Sequence, residues 1–347
     1  MFFNSLCGDR AVQCPKLSEL PKPLPDRTGW PWTEESRRLP SQTSDGHPWP
    51  RISVVTPSYN QGHFIEETIR SVLLQGYPNL EYLVIDGAST DNSINIIKKY
   101  STWLSYWVSE SDGGQSDAIN RGLRMASGDF ATWINSDDLL CKNAIGHHVS
   151  RCGFAPDTIY VGNCIYIDEA GKALSSHRGN VHSLEDLVRV KSVWRSGGHI
   201  VQPEVLFPRE LALSVGGLNT DNHFSMDFEL WGKFMLAGAK FHYTNIDFAM
   251  FRRHPNQKTE DGLQRTASLI ASAKKLVCLA EFLPEGTKNA ISADLDAYQE
   301  AYPSEDWRAT GRLARISLPH RIVIALRRLN AVLHKKGNLL AASREEL

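Results

Sequence analysis

Residues 130–140 read FATWINSDDLL: an apolar run, Phe130 to Ile134, passes straight into Asn135, Ser136, Asp137 and Asp138 before apolar character resumes. Adjacent carboxylates repel each other and cost free energy to desolvate. A divalent cation offsets both costs, because Mg²⁺ and Mn²⁺ prefer oxygen ligands and bridge the oxygens of a diphosphate. An isolated Asp-Asp after a strand more often caps the helix that follows. Its company here favours the ligand-binding reading. Thr56-Pro57-Ser58-Tyr59-Asn60, Asp86-Gly87-Ala88-Ser89 and Asp112-Gly113-Gly114-Gln115 stand at the ends of three further strand-like runs.

Other chemistries lack their residues. No GxGxxG follows a strand and no GxxxxGK[ST] occurs, so a phosphorylated ligand would need a cation in place of a glycine loop. The six cysteines are scattered without a CxxC pair, which supports neither a zinc ribbon nor a redox pair. In a chain of this length such sparse cysteine fits a reducing cytosol. Net charge is -1, so no global basic field grips nucleic acid and no nucleic-acid partner is expected.

These residues need elements to converge them. ISVVTPSYN, LEYLVID, LSYWVSE and FATWI read as strands. Between them HFIEETIRSVLLQGYP, NSINIIKKY and QSDAINRGLRMASG read as helices, with Asp91 as an N-cap and Gly128 as a C-terminal stop. Alternation of this kind predicts an α/β fold with a Rossmann-like, mostly parallel sheet flanked by helices. In such sheets ligands sit at the carboxyl ends of the strands, where all four clusters fall. Beyond residue 150, TIYVGNCIYIDEAGKAL predicts a hairpin turning near Glu169–Lys172. PRELALSVGGL and DFELWGKFMLAG predict helices, and FHYTNIDFAMFRRH a strand. Helices follow from about Glu260.

VVTPSYN, EYLVIDGASTDNS, SESDGGQSDAINRGL and WINSDDLL, in this order, resemble family 2 glycosyltransferases of the bacterial polysaccharide-biosynthesis type, whose fold is GT-A. The resemblance runs over about residues 51–256. It implies that Thr56, Pro57 and Tyr59 contact the nucleotide base and ribose and that Asp86 hydrogen-bonds the base. Asp112, Gln115 and Asn120 would lie along the nucleotide. Asn135-Ser136-Asp137 stands at the Asp-x-Asp position, with Asp137 as the metal-binding second Asp and Asp138 as its acidic neighbour.

Three residues depart from the family pattern. Asn135 stands where the first Asp is common, Gly87 where a second Asp often follows Asp86, and Met226 where an acidic partner precedes the base. SMDFELW resembles the family's Glu-Asp motif, which would make Asp227 the catalytic base. Glu229, two residues on, points to a different side of a helix and is the weaker candidate. FRRHPNQKT resembles the closing His motif, making His254 a metal or diphosphate ligand. QPEVLFPREL resembles the acceptor-side segment, with Gln202 and Glu204. Trp194 is a further acceptor-side candidate, whereas Trp231 is expected in the core. On spacing alone Asp227 could equally cap its helix, and His254 before Pro255 would read as a surface loop residue.

The expectation is an inverting, Mn²⁺- or Mg²⁺-dependent transfer from a nucleotide-diphosphate sugar, a UDP-sugar by family frequency, to a saccharide or lipid-linked acceptor. Residues 1–50 are expected as an extended or poorly ordered arm and 51–258 as the catalytic domain, split into a nucleotide half (51–140) and an acceptor half (141–258). Residues 259–347 are expected as a helical extension. Within that extension HRIVIALRRLNAVLHKK is a basic amphipathic helix that fits peripheral membrane contact through 319–336, or simply a solvated basic face. The N-terminus lacks a basic segment followed by an apolar one, and no transmembrane run occurs, so a cytoplasmic protein is expected. A sugar nucleotidyltransferase would want a basic, glycine-rich first loop that TPSYNQGHF lacks; a non-catalytic nucleotide- or carbohydrate-binding protein is the other alternative.

Overall fold

The structure is a computed structural model that describes residues 14–152, 154–258 and 262–301. The predicted alternation is present: β1 (Ile52–Ser58), α1 (Ile65–Leu73), β2 (Leu80–Asp86), α2 (Ser93–Tyr100), β3 (Tyr106–Ser109), α3 (Gln115–Met125) and β4 (Phe130–Trp133). Every residue of β1 and β2 is buried, the mark of a sheet covered on both faces. Successive β1 side chains serve opposite cores. Val54 packs with Ile69, Val84 and Ile97, while Val55 packs with Ile85, Ile119 and Trp133. β1 runs parallel to β2 and β4, and β2 to β3, so the carboxyl ends of all four share one rim.

The later half continues with β5 (Leu139–Leu140), α4 (Ala144–Val149), β6 (Thr158–Ile167), β7 (Ala173–Arg178), α5 (Leu184–Val188), β8 (Val205–Pro208) and α6 (Arg209–Ser214). α7 (Met226–Leu236), β9 (Lys240–Arg252), α8 (Gly262–Leu279) and α9 (Glu285–Ala301) complete it. The sheet order is β3-β2-β1-β4-β8-β6-β9-β5, with β7 paired to β6. β8 is antiparallel to β4 and β6, and β9 is parallel to β6. The β6–β7 hairpin closes through Asp168, whose amide bonds the Lys172 carbonyl at 2.9 Å, where the sequence predicts the turn. One pairing matters most for function. β5 lies antiparallel to β9 with Leu139 opposite Met250, so the residues just before Leu139 lie beside those just after Met250.

Two local expectations change. Gly128 does not stop α3; the helix ends at Met125 with extended Ala126 after it. Gly128 is instead required by close approach, since a Cβ there would sit 2.3 Å from Ser53 Oγ. Asp91 does cap the α2 region, accepting from Ser93 N at 2.9 Å, but it also accepts from Gly62 N at 2.8 Å and so ties the β1–α1 loop to α2.

Residues 14–50, within the expected arm, lie against the body. The fully buried Arg70 guanidinium donates to the carbonyls of Pro21, Pro31 and Trp32 at 2.9–3.1 Å. Trp30 Nε1 donates to Leu140 O at 2.9 Å, and Cys14, Leu20 and Trp32 are buried. The described residues up to Tyr298 belong to one compact unit, which takes in α8 and most of α9. Gly232 of α7 makes that packing close: a Cβ there would meet Leu276 of α8 at 2.2 Å. The second unit is Gln299–Leu347, described only to Ala301, so the basic helix expected over 319–336 lies outside the described residues. No helix among the described residues is long and apolar enough to cross a membrane.

Candidate active site

At the rim of β1–β4 opens a cavity of about 710 Å³. Its lining includes Pro57, Ser58, Tyr59, Gly87, Ala88, Asp112, Gln115, Asn135, Ser136, Asp137, Asp138, Gln202, Met226, Asp227, Phe251 and Lys258. Tyr59 is 63% exposed, leaving its ring at the mouth free to cover a planar group.

The β5–β9 pairing delivers His254 to Asp137. His254 Nε2 lies 3.0 Å from Asp137 Oδ2, and the imidazole is seated on the Phe64 ring with centroids 4.8 Å apart. The His254 side chain is nearly closed off from solvent, while that of Asp137 keeps 18% of its surface. Arg252, two residues earlier, holds the turn in place. Its amide donates to Asp138 Oδ1 at 2.9 Å and its Nε to the Asp137 carbonyl at 2.8 Å. The other guanidinium nitrogens reach Glu67 Oε2 at 2.9 Å and the Glu169 carbonyl at 2.8 Å. Asp138 is therefore built into the frame. Burial, and then the neighbouring Asp137 charge, push its carboxyl well above the usual carboxylate range.

Asn135 is the centre of an amide network. Its Oδ1 accepts from Gln115 Nε2 at 2.8 Å, and its Nδ2 donates to Asp138 Oδ2 at 3.2 Å and Gln202 Oε1 at 3.3 Å. Gln202 in turn donates to the Trp133 carbonyl at 2.8 Å. The Asn at this position thus supplies donors that an Asp could not.

Asp227 lies in the first turn of α7, half-buried, with Oδ1 accepting from Phe228 N at 2.8 Å. Burial raises its carboxyl above the ordinary Asp value, against the opposing pull of Arg265 and Lys258. A carboxylate so placed is a competent proton acceptor. Glu229 is not: Asn219, Asn222 and Lys275 hold its carboxylate at 2.7–3.4 Å.

Several residues expected at the ligand lie off the cavity lining. Thr56 is fully buried against Tyr82, hydroxyl to hydroxyl at 3.0 Å. Asp86 is fully buried, and its carboxylate accepts from Ser58 Oγ, Ser89 N and Oγ and Ser109 Oγ at 2.6–3.0 Å. It braces the three strand-end loops. Asn120 pairs with the Leu218 backbone through both its amide atoms, at 2.8 and 2.9 Å, and so fastens α3 to the segment before α7. Trp194 is buried edge-on against Phe228, with centroids 4.8 Å apart. Glu204 is fully buried, with Oε1 accepting from Val201 N at 2.9 Å and Oε2 without a partner among the described residues. It supports the turn that presents Gln202.

Sequence reasoning passed over Lys258 on the lining and Arg252 behind it, although both lie in the FRRHPNQKT segment. A cationic residue within four of a candidate metal or diphosphate ligand was the available signal. Phe224 and His223, also on the lining, sit in a loop with no periodic signal.

Residues 53–211 match the family model for glycosyl transferase family 2. An uncharacterized glycosyltransferase of Rickettsia felis is 28% identical over 212 residues, which cover 60% of this chain and 35% of that protein. Glycosyltransferase GlyG of Streptococcus pneumoniae is 26% identical over 260 residues, covering 71% of this chain and 82% of that protein. This chain therefore spans about a third of the first relative and most of the second. Among solved structures, S. aureus TarS 1-349 in complex with UDP-GlcNAc is similar at a TM-score of 0.56 and 17% identity, over 78% of this chain and 77% of that one. Mannosyltransferase PcManGT from Pyrobaculum calidifontis, in complex with GDP-Man and Mn2+, is similar at a TM-score of 0.51 and 22% identity, over 82% of this chain and 81% of that one. At these identities the likeness is one of fold, and it is the GT-A fold.

Proposed function

We propose that this chain, a glycosyltransferase with its family 2 domain over residues 53–211, moves a sugar from a nucleotide-diphosphate sugar to a hydroxyl of a saccharide or lipid-linked acceptor in one inverting displacement. The observation that carries the reading is that Asp227 and Asp137 line one and the same cavity, with His254 touching Asp137. Similar folds hold UDP, UDP-GlcNAc or GDP-Man, which supports a donor of this class; a UDP-sugar is the first choice.

Tyr59 at the mouth and Pro57 on the wall would cover the base, and Asp112 and Gln115 would line the path of the ribose and diphosphate. Asp227 takes the acceptor's hydroxyl proton as that oxygen bonds the anomeric carbon; the bond from that carbon to the diphosphate oxygen breaks, and the diphosphate leaves with its electron pair. Inversion follows from the single displacement, and no covalent enzyme intermediate forms. Gln202 stands across the cavity on the acceptor side, held by Asn135 and Trp133.

Asp137 and His254 fit a divalent cation as an oxygen and nitrogen pair 3.0 Å apart, one member open to the cavity. No cluster of three or more His, Cys, Asp or Glu side chains that could hold a metal exists among the described residues. Two protein ligands suit Mg²⁺ or Mn²⁺, which complete their shells with substrate phosphates and water. When bound, the cation would neutralise charge on the diphosphate. Action on a membrane-borne acceptor at the cytoplasmic face, with contact through 319–336, completes the proposal.

The test is release of nucleoside diphosphate from a panel of UDP- and GDP-sugars with Mn²⁺, with and without saccharide acceptors. Many transferases slowly hydrolyse their donor, whereas a binding protein does not. No release from any donor under either condition would overturn the reading.

A further inference from the structure

The cavity has the wrong sign for the ligand proposed for it. Its lining carries the carboxylates of Asp112, Asp137 and Asp227, with Asp138 buried into the frame behind them, against one lysine, Lys258, and no arginine among the described residues. A divalent cation at Asp137 and His254 leaves little net positive charge once those carboxylates are counted. We infer that Lys258 is the side chain that pairs with the donor's diphosphate and supplies the positive charge the cation alone does not. The inference rests on the nucleotide-sugar reading of the same cavity.

Lys258 is placed and free to do this. It follows His254 by four residues and the end of β9 by six, so one segment brings both a candidate cation ligand and the lysine to the cavity. Its ammonium makes no ion pair among the described residues. Its contacts are a long hydrogen bond to Gln115 Oε1 at 3.3 Å and the face of Phe224 at 5.7 Å. A neutral amide and an aromatic face are weak partners for a full charge, and a phosphate oxygen would displace both. Gln115 also donates to Asn135, so the lysine already reaches the corner that holds the Asn135–Asp138 turn. Lysine serves as a flexible point charge, which suits a group that closes on the diphosphate after the nucleoside has seated.

A second role lies close by. Asp227 and Lys258 attract each other, so the lysine could act only by keeping the base ionised. Binding of a ligand with no acceptor present separates the two, because the base takes no part in it.

The experiment is calorimetric titration of the full chain with UDP and with uridine in the presence of Mn²⁺, for wild type, K258Q and K258R. UDP should bind K258Q about tenfold more weakly than wild type, the usual worth of one charge-assisted hydrogen bond. K258R should keep most of the affinity, and uridine should bind all three proteins within about twofold. Equal UDP affinity in wild type and K258Q, where wild type prefers UDP to uridine, overturns the Lys258 assignment and leaves sugar transfer standing. A parallel loss of uridine binding in K258Q also overturns it, since the substitution would then act on the cavity as a whole. Wild type that binds UDP no better than uridine overturns both this inference and the nucleotide-diphosphate reading beneath it.

Discussion

The Arg252 guanidinium donates through Nε to the Asp137 backbone carbonyl at 2.8 Å, from a side chain that is 1% exposed. The same residue's amide holds the Asp138 carboxylate, and its terminal nitrogen holds Glu67. One buried arginine therefore fixes the turn between β4 and β5 to the end of β9 and to α1. The proposed metal ligands Asp137 and His254 meet because their two segments share this clamp. Removing one member of a buried ion pair leaves the other charge stranded and costs about 3–5 kcal/mol. Arg252→Met should lower stability by that amount in urea denaturation. The double variant with Glu67→Gln should recover part of it, because the stranded carboxylate is gone. Additive losses in the double variant would show that the pair itself contributes nothing.

Asp227→Asn should leave UDP affinity within about twofold and reduce turnover ~10²–10⁴-fold, the usual worth of a general base. The pH dependence carries the same assignment. Burial raises the Asp227 carboxyl above its ordinary value of 3.8, and the base works only when ionised. The acid limb of kcat/KM should therefore fall at a higher pH than an exposed aspartate would give. Undiminished turnover in the variant removes Asp227 from the mechanism.

Asn135→Asp restores the commoner family motif and should nonetheless destabilise the metal-free protein. An aspartate keeps the acceptor facing Gln115 but loses both Nδ2 donors, and it sets a second carboxylate against Asp138. A cost of about 1–3 kcal/mol follows from the lost donors to a buried acceptor. A cation at Asp137 would offset the added charge, so Mn²⁺ should raise the melting temperature more in Asn135→Asp than in wild type. Equal Mn²⁺ shifts in the two proteins would place the cation away from this turn.

The parts of this architecture legible in the sequence are those written as local pattern. β1, β2 and β4 are β-branched or aromatic runs closed by polar residues, and their shared rim follows from parallel pairing. What was hidden depends on partners far along the chain. Asn120 looks like a ligand contact in its motif, but Leu218, 98 residues away, occupies it. Residues 14–50 show no period because they pack through single contacts, such as the three carbonyls around Arg70. The wound segment from Val190 to Gly198, which carries Trp194 into the core and breaks at Gly197 (φ 93°), has no sequence signature of its own. Arg252 reads as one of two adjacent arginines; only the fold separates it from Arg253, whose guanidinium lies over the Tyr166 ring at 4.3 Å.

Glu204 yields a prediction about stability rather than turnover. Its carboxyl is fully buried; one oxygen accepts from Val201 N and the other has no partner among the described residues. Burial raises it well above its ordinary value of 4.5, so the folded state binds this proton more tightly than the unfolded chain does. The stability this contributes is complete below about pH 4.5 and is lost as pH climbs from there through the raised folded value. Within that window the loss runs at about 1.4 kcal/mol for each pH unit. Glu204→Gln keeps a carbonyl for Val201 N and titrates nowhere, so its stability should lack this decline. Its amide nitrogen also meets a site without a partner, which displaces the whole curve by a constant and leaves the slope as the quantity to compare. Urea midpoints of the two proteins measured from pH 5 to 8 should converge or cross as wild type falls relative to the variant. Parallel curves across that range would mean that Glu204 is already ionised in the fold and that the turn beneath Gln202 tolerates a buried charge.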